Sequence, residues 1–215
     1  MKINIDGIMV FVEDSDHYLQ IDDICDADFK RIWQHLKNDY VNYDKWFCYH
    51  NMECPSEILT GELGAVLEDD NIETRLTSLD FNKYDDYGIM RVTDENFAEF
   101  AVYHDELHPE MYWTSERLKR DLSRWGIFIL QVDNKIAGYI ILSIRDALAE
   151  IFCAETSNSI QRETLIAYAS KFAFDNGKDE VLFMVDKNSI DYKAALSVGF
   201  NVTGFYKGYK ISRIL

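Results

Sequence analysis

Ala149-Glu150-Ile151-Phe152-Cys153-Ala154-Glu155-Thr156-Ser157-Asn158-Ser159-Ile160-Gln161-Arg162 is the stretch that decides the fold. Its first six residues have the length and apolar character of a strand, and Asn158 with Gln161 three residues on is a helix-opening pair. The helix predicted from there carries Leu165, Ile166, Ala169, Phe172 and Ala173 on one face and stops at Gly177. Downstream, 181–185 is an apolar strand, 190–197 a short helix stopped by Gly199, and 200–205 with 206–211 a pair of strands around Gly204 and Gly208. Upstream, 127–132 and 136–142 are apolar, strand-forming runs joined by Asp133-Asn134-Lys135, which predicts a hairpin. Before them come a short strand over 88–92, a helix capped by Thr93 with Phe97, Phe100, Ala101 and His104 recurring at helical spacing, and a second helix over 115–122. The order β-α-α-β-β-β-α-β-α-β-β predicts an α/β protein of the α+β kind: a mixed, mostly antiparallel twisted sheet flanked by helices.

The N-terminal part repeats the second half of that order. Extended runs over 3–12 and 18–24 precede an amphipathic helix over 28–40, a strand over 45–49, a Pro55-led helix to Leu63, and a further extended run, 64–67 leading to 72–79. In pattern, 45–49 matches 180–184 and 63–66 matches 198–201. An internal duplication is one reading of that match, chance recurrence of pattern the other. The acidic stretch 79–87 is the expected boundary, giving a smaller N-terminal α/β unit over 1–80 and a larger one over 87–215.

Bulk composition narrows the partners. A formal net charge of -16 repels phosphate backbones and anionic lipid, so neither nucleic acid nor membrane is an expected partner, whereas an amine is. Cys25, Cys48, Cys54 and Cys153 have no C-x-x-C pair and no zinc-type spacing with His, and read as reduced thiols. His104 and His108 would share a helix face only if the helix ran up to Pro109, so no metal is expected. No basic-plus-apolar leader opens the chain and no apolar run approaches a membrane span; a cytoplasmic monomer or homodimer is the expectation.

The region from 89 to 211 resembles the GCN5-related N-acetyltransferase superfamily, in element order, in AEIFCAE followed closely by a helix, and in the ending DKNSIDYKAALSVGFNVTGFYKGY. The resemblance implies an acyl group transferred from acetyl-CoA to a small-molecule amine. It also implies that the strand 151–155 splays from 181–185 to receive the pantetheine arm, with Phe152, Cys153 and Ala154 along it. Ser157, Asn158, Ser159, Ile160, Gln161 and Arg162 would then face the pyrophosphate, and Asn188 would hold the arm. Here the sequence departs from the family, whose loop reads Q/R-x-x-G-x-G/A; the matching positions are Ser157, Ile160 and Arg162, with none of the small residues that let backbone approach phosphate.

By the same resemblance Glu150 is the candidate general base and the backbone N–H near Phe152 or Cys153 the donor to the thioester oxygen. The family's acid, a Tyr four residues before Gly-Phe, is replaced by Ala195, leaving Tyr192 and Tyr206 as substitutes. His104, His108, Tyr112 and Trp113 fall where an acceptor pocket is expected. The alternative is a ligand-sensing or interaction module that keeps the fold and has lost the chemistry.

Overall fold

In the computed structural model, residues 1–51, 58–77, 88–144 and 148–213 are described. The expected boundary at 79–87, Cys54 and the Pro55 helix start lie outside them. Two compact units are present, Met1–Ile72 with Gly204–Leu215, and Glu73–Thr203. The sequence reading draws a single cut near residue 80; the observed division returns the last residues of the chain to the first unit.

In that first unit, β1 (Lys2–Ile5) and β2 (Ile8–Glu13) pair as an antiparallel hairpin. The single run expected over 3–12 is broken by Asp6-Gly7, both at positive φ, an Asp-Gly turn whose right-handed twist suits a two-residue hairpin. Next, β3 (Tyr18–Asp22) pairs antiparallel with β2, and α1 (Asp26–Asp39) crosses over so that β4 (Asp44–His50) returns parallel to β3. Val10, Val12, Leu19, Ile21, Phe29, Ile32, Leu36 and Phe47 make the core between helix and sheet. A five-residue π-helical turn, Ile58–Glu62, precedes β5 (Val66–Leu76), which lies within the extended run expected from 64–67 on to 72–79.

The second unit begins with the last residues of β5, then β6 (Ile89–Arg91), α2 (Phe97–Leu107) and α3 (Ser115–Arg120). Thr93 is not the cap of α2: Asn96 is, and its Oδ1 accepts from the Thr93 N–H at 2.7 Å. A 3-10 turn leads into β7 (Trp125–Val132) and β8 (Lys135–Ser143), a hairpin whose turn residues Asp133 and Asn134 both have positive φ. Then come β9 (Ala149–Thr156), α4 (Ser159–Asp175), β10 (Val181–Asp186) and α5 (Ile190–Val198), closed by Gly199 at φ 117°. Phe100, Leu118, Trp125, Ile127, Ile129, Tyr139 and Ile141 form the core under α2 and α3.

The closing pair of strands is instead one, β11 (Asn201–Ile211). Gly204 and Gly208 are glycines for close approach rather than for turning: a Cβ on Gly204 would collide with the Asn51 side chain, and one on Gly208 would lie 2.9 Å from Asp69 Oδ2. From Tyr206 to Ile211, β11 pairs antiparallel with β4; at its start, Thr203 Oγ1 donates to Glu73 Oε1 at 2.7 Å. The succession β1-β2-β3-α1-β4 takes the same steps as β7-β8-β9-α4-β10: two antiparallel pairings, a helical crossover and a parallel return. Among the described residues no helix is long and apolar enough to cross a membrane.

Candidate active site

The centre of the second unit is the gap between β9 and β10. Their parallel pairing covers Ala149–Ile151 against Val181–Phe183 and stops there, although β9 runs on to Thr156 and β10 to Asp186. One residue before the pairing on the other edge resumes, β9 bulges: Ile141 faces Cys153 and Leu142 faces Ile151, so Phe152 is the extra residue. A bulge puts consecutive side chains on one face. Accordingly the Phe152 ring meets Trp113 and Trp125, with centroids 6.0 and 5.4 Å away, while Cys153 joins the same core.

Beyond Ile151, β9 must satisfy its carbonyls without β10. Arg162, on the first turn of α4, does this. Its Nη1 donates to the carbonyl of Ala154 and to Asp191 Oδ1 (2.5 Å) at the start of α5, and its Nη2 donates to the carbonyl of Thr156 (2.8 Å). With its side chain 7% exposed, the guanidinium is a strut inside the gap. Burial holds the Asp191 carboxyl above its ordinary value even though Arg162 pulls it down.

The N-terminus of α4 is likewise satisfied from within. Asn158 Oδ1 accepts from the backbone N–H groups of Ile160 (2.9 Å) and Gln161 (3.2 Å), the amides a phosphate would use. Thr156 Oγ1 donates to Gln161 Oε1 at 3.0 Å and pins that side chain. A groove of about 810 Å³ lies beside these turns, lined by Gly88, Gln131, Asp133, Asn134, Gln161 and Thr164, but no residue of the β9–β10 gap lines it. The gap, which opens at the bulge just beyond the paired stretch that holds Glu150, is therefore the candidate site.

On the α2–α3 face of β9 a directional chain of hydrogen bonds runs through the core. The carbonyl of Trp113 accepts from His104 Nε2 (2.7 Å), which leaves Nδ1 to accept from the Tyr139 hydroxyl (2.8 Å). That oxygen in turn accepts from the Cys153 thiol at 3.7 Å. Burial lowers the His104 pKa, raises that of Tyr139, and pushes the Cys153 thiol up to about 12.

No protein-family model matches the sequence, and the search of curated proteins finds no match either. Solved structures do match. A functionally unknown conserved protein from Staphylococcus epidermidis superposes with TM-score 0.69 at 12% identity, covering 100% of this chain and 94% of its own. A GCN5-related N-acetyltransferase from Kribbella flavida gives TM-score 0.68 at 12% identity, with 98% and 88% covered. A Saccharomyces cerevisiae N-myristoyltransferase solved with bound myristoyl-CoA gives TM-score 0.57 at 9% identity, with 91% and 60% covered.

The chain has the GCN5-related N-acetyltransferase fold. Within it the expected site residues separate. Glu150 is half-buried at the last stretch of β9–β10 pairing, opposite Leu182 and Ser143. Half-buried Tyr192 lies in the first turn of α5, whose cap Ser189 accepts from its backbone N–H at 3.0 Å. Asn188 is exposed at φ 66° and shapes the turn before that cap. Ser157, Ser159 and Ile160 are exposed, Ile160 at 72%. Tyr112 is stacked under the Arg117 guanidinium at 4.1 Å, and Trp113 edges onto Trp125 at 4.8 Å.

Three assignments need correction. Arg162 is not placed to meet a phosphate, because the carbonyls of β9 and Asp191 hold it. His104 is a fully buried core histidine with both ring nitrogens engaged, and cannot meet a substrate. Tyr206 belongs to the first unit, where its hydroxyl already donates to Cys48 Sγ at 2.9 Å and burial raises its pKa, so in this structure that proton is engaged with the thiol.

Sequence reasoning missed Tyr139, Glu155 and Asp191. Tyr139 reads as strand filler and Asp191 as a helix-start acid. Only the repeat of Cys153 and Glu155 two apart on a strand hinted at a shared face.

Proposed function

We propose that the unit Glu73–Thr203 is an acyl-CoA-dependent N-acyltransferase that moves an acetyl or similar group to an amine of a small molecule. The observation that carries this reading is the parting of β9 from β10 after Ile151 and Phe183. A strand edge freed in this way offers backbone groups to an extended, amide-bearing arm, as in strand addition. The residues present fit such an arm once Arg162 gives up the carbonyls of Ala154 and Thr156, which amide donors would take over.

In this reading Glu150 takes the proton from the attacking amine, and a backbone N–H at Phe152 or Cys153 steadies the oxygen of the acyl carbonyl. Tyr192 supplies a proton to the sulfur as its bond to the acyl carbon breaks and the new C–N bond forms. The acidic net charge draws an ammonium-bearing acceptor, and Tyr112 with Trp113 supplies apolar faces for it. The chain works in the cytoplasm as a monomer or homodimer, with no nucleic-acid or membrane partner. Its Cys25, Cys48 and Cys153 are unpaired with one another.

Arg162 and Asn158 favour a second reading, in which the fold serves as a ligand-sensing or interaction module and the chemistry is gone. Acetyl-CoA titration of the melting temperature separates the two, because a ligand that binds only the native state raises the midpoint. The enzyme reading expects a rise that grows with concentration, and a Glu150→Gln variant with turnover cut far more than affinity. A midpoint unmoved at millimolar acetyl-CoA selects the second reading, and unchanged turnover in Glu150→Gln removes that residue from its role.

A further inference from the structure

On the α2–α3 face of β9, three potential ligand atoms converge: a ring nitrogen of His108, Sγ of Cys153 and a carboxylate oxygen of Glu155 all lie within 4.8 Å of one another. We propose that these residues bind a zinc-class divalent cation. Nothing in sequence spacing exposes the set, because His108 stands at the C-terminus of α2 while Cys153 and Glu155 share one face of a strand.

Donor chemistry selects the ion. Thiolate and imidazole favour Zn²⁺ over Mg²⁺ or Ca²⁺, and one thiolate with one carboxylate offsets its double charge. With metal–ligand distances of about 2.0 to 2.3 Å, ligand atoms in a tetrahedral site lie roughly 3.3 to 3.8 Å apart. The separation of His108 Nε2 from Glu155 Oε1 is already 3.4 Å. Side-chain rotation closes the remainder.

A second observation points the same way. His108 Nε2 is buried and makes no hydrogen bond, its contact being the Glu155 carboxylate at 3.4 Å, so a polar atom is held out of water with its hydrogen-bonding capacity unused. The surroundings also hold the ligands in place from outside. The other oxygen of Glu155, Oε2, lies 3.7 Å from Arg162 Nη2, and the sulfur of Cys153 lies 3.7 Å from the Tyr139 hydroxyl. Three protein ligands leave a fourth position for water or a donor atom of a small molecule, the pattern of a working rather than a purely structural zinc site.

The test uses the full chain, stripped with chelator and titrated with Co²⁺, then displaced with Zn²⁺. One equivalent of Co²⁺ is expected to produce a thiolate-to-cobalt charge-transfer band and the visible bands of a four-coordinate ion. Removing a direct ligand must cost at least what removing an outer partner does, so His108→Gln and Glu155→Gln should each weaken binding about tenfold or more. Both positions are half-exposed, which keeps folding intact and leaves the test decisive if Cys153→Ala is unstable. Cys25→Ala should leave the band unchanged. Absence of the band at millimolar Co²⁺, its loss in Cys25→Ala, or its persistence at full affinity in His108→Gln overturns the site. None of these readouts depends on acyl transfer, so failure of the metal site and failure of the acyltransferase reading are distinguishable.

Discussion

Replacing Arg162 with Met removes a guanidinium while keeping much of its stem. Left behind are the carbonyls of Ala154 and Thr156 and the carboxylate of Asp191. Hydrogen bonds from charged groups contribute about 1.5–3 kcal/mol each, and breaking a buried ion pair costs about 3–5 kcal/mol. Water reaches part of Asp191, whose side chain is 30% exposed, so the low end applies. The expected loss is about 3 kcal/mol, read from urea unfolding as a lowered midpoint at unchanged slope. A loss under about 1 kcal/mol would refute the strut.

The pH dependence adds a sharper condition. Without the arginine, the Asp191 carboxyl rises further above its ordinary value, because Arg162 is what pulls it down. A carboxyl that holds its proton more tightly folded than unfolded makes stability fall as pH rises above roughly 3.9, the unfolded value. Arg162→Met should therefore lose less at pH 5 than at pH 8, and an equal loss at both removes Asp191 from the account.

Two further perturbations test the core and the sheet. Tyr139→Phe keeps the ring contact with Phe100 but leaves His104 Nδ1 without its donor, and calorimetry should register about 1–3 kcal/mol of destabilisation; a neutral result would mean that water or Cys153 replaces the hydroxyl. In Gly204→Ala the new methyl must displace the Asn51 side chain, whose Oδ1 accepts from the Phe205 N–H at 3.1 Å, and about 1–3 kcal/mol of loss is expected in urea titration, with no loss contradicting the close approach.

Much of the fold could be read from local signals. Asn158 sits where the helix it caps begins, Gly177 and Gly199 end their helices at positive φ, and Asp133-Asn134 turns the hairpin. The errors came where one local signal has two meanings. Glycine at 204 and 208 suggests a turn, yet only the distant Asn51 and Asp69 reveal that it clears space inside one strand. Asp6-Gly7 was a legible turn inside a run read as one strand. At the site, proximity between elements decides, and it leaves no mark on spacing. A charged side chain beside a helix start suggests a phosphate, whereas Arg162 reaches two carbonyls of β9 and an acid of α5; His104 suggests a pocket, whereas Tyr139 and Trp113 enclose it.

Each half of the chain is completed by a segment that comes from the other end of the sequence. The edge of β4 is covered by residues 206–211, and Thr74 from early in the chain donates through Oγ1 to the carbonyl of Phe183 at 2.8 Å. Scission near residue 80 would therefore not yield two self-sufficient proteins. The front fragment would carry a bare strand edge from Lys45 to His50, prone to association, and the rear fragment would lose the Thr74 hydroxyl from the Phe183 carbonyl. Produced separately and mixed, such pieces have in each other the partner they lack, which makes this chain a natural subject for split-protein complementation.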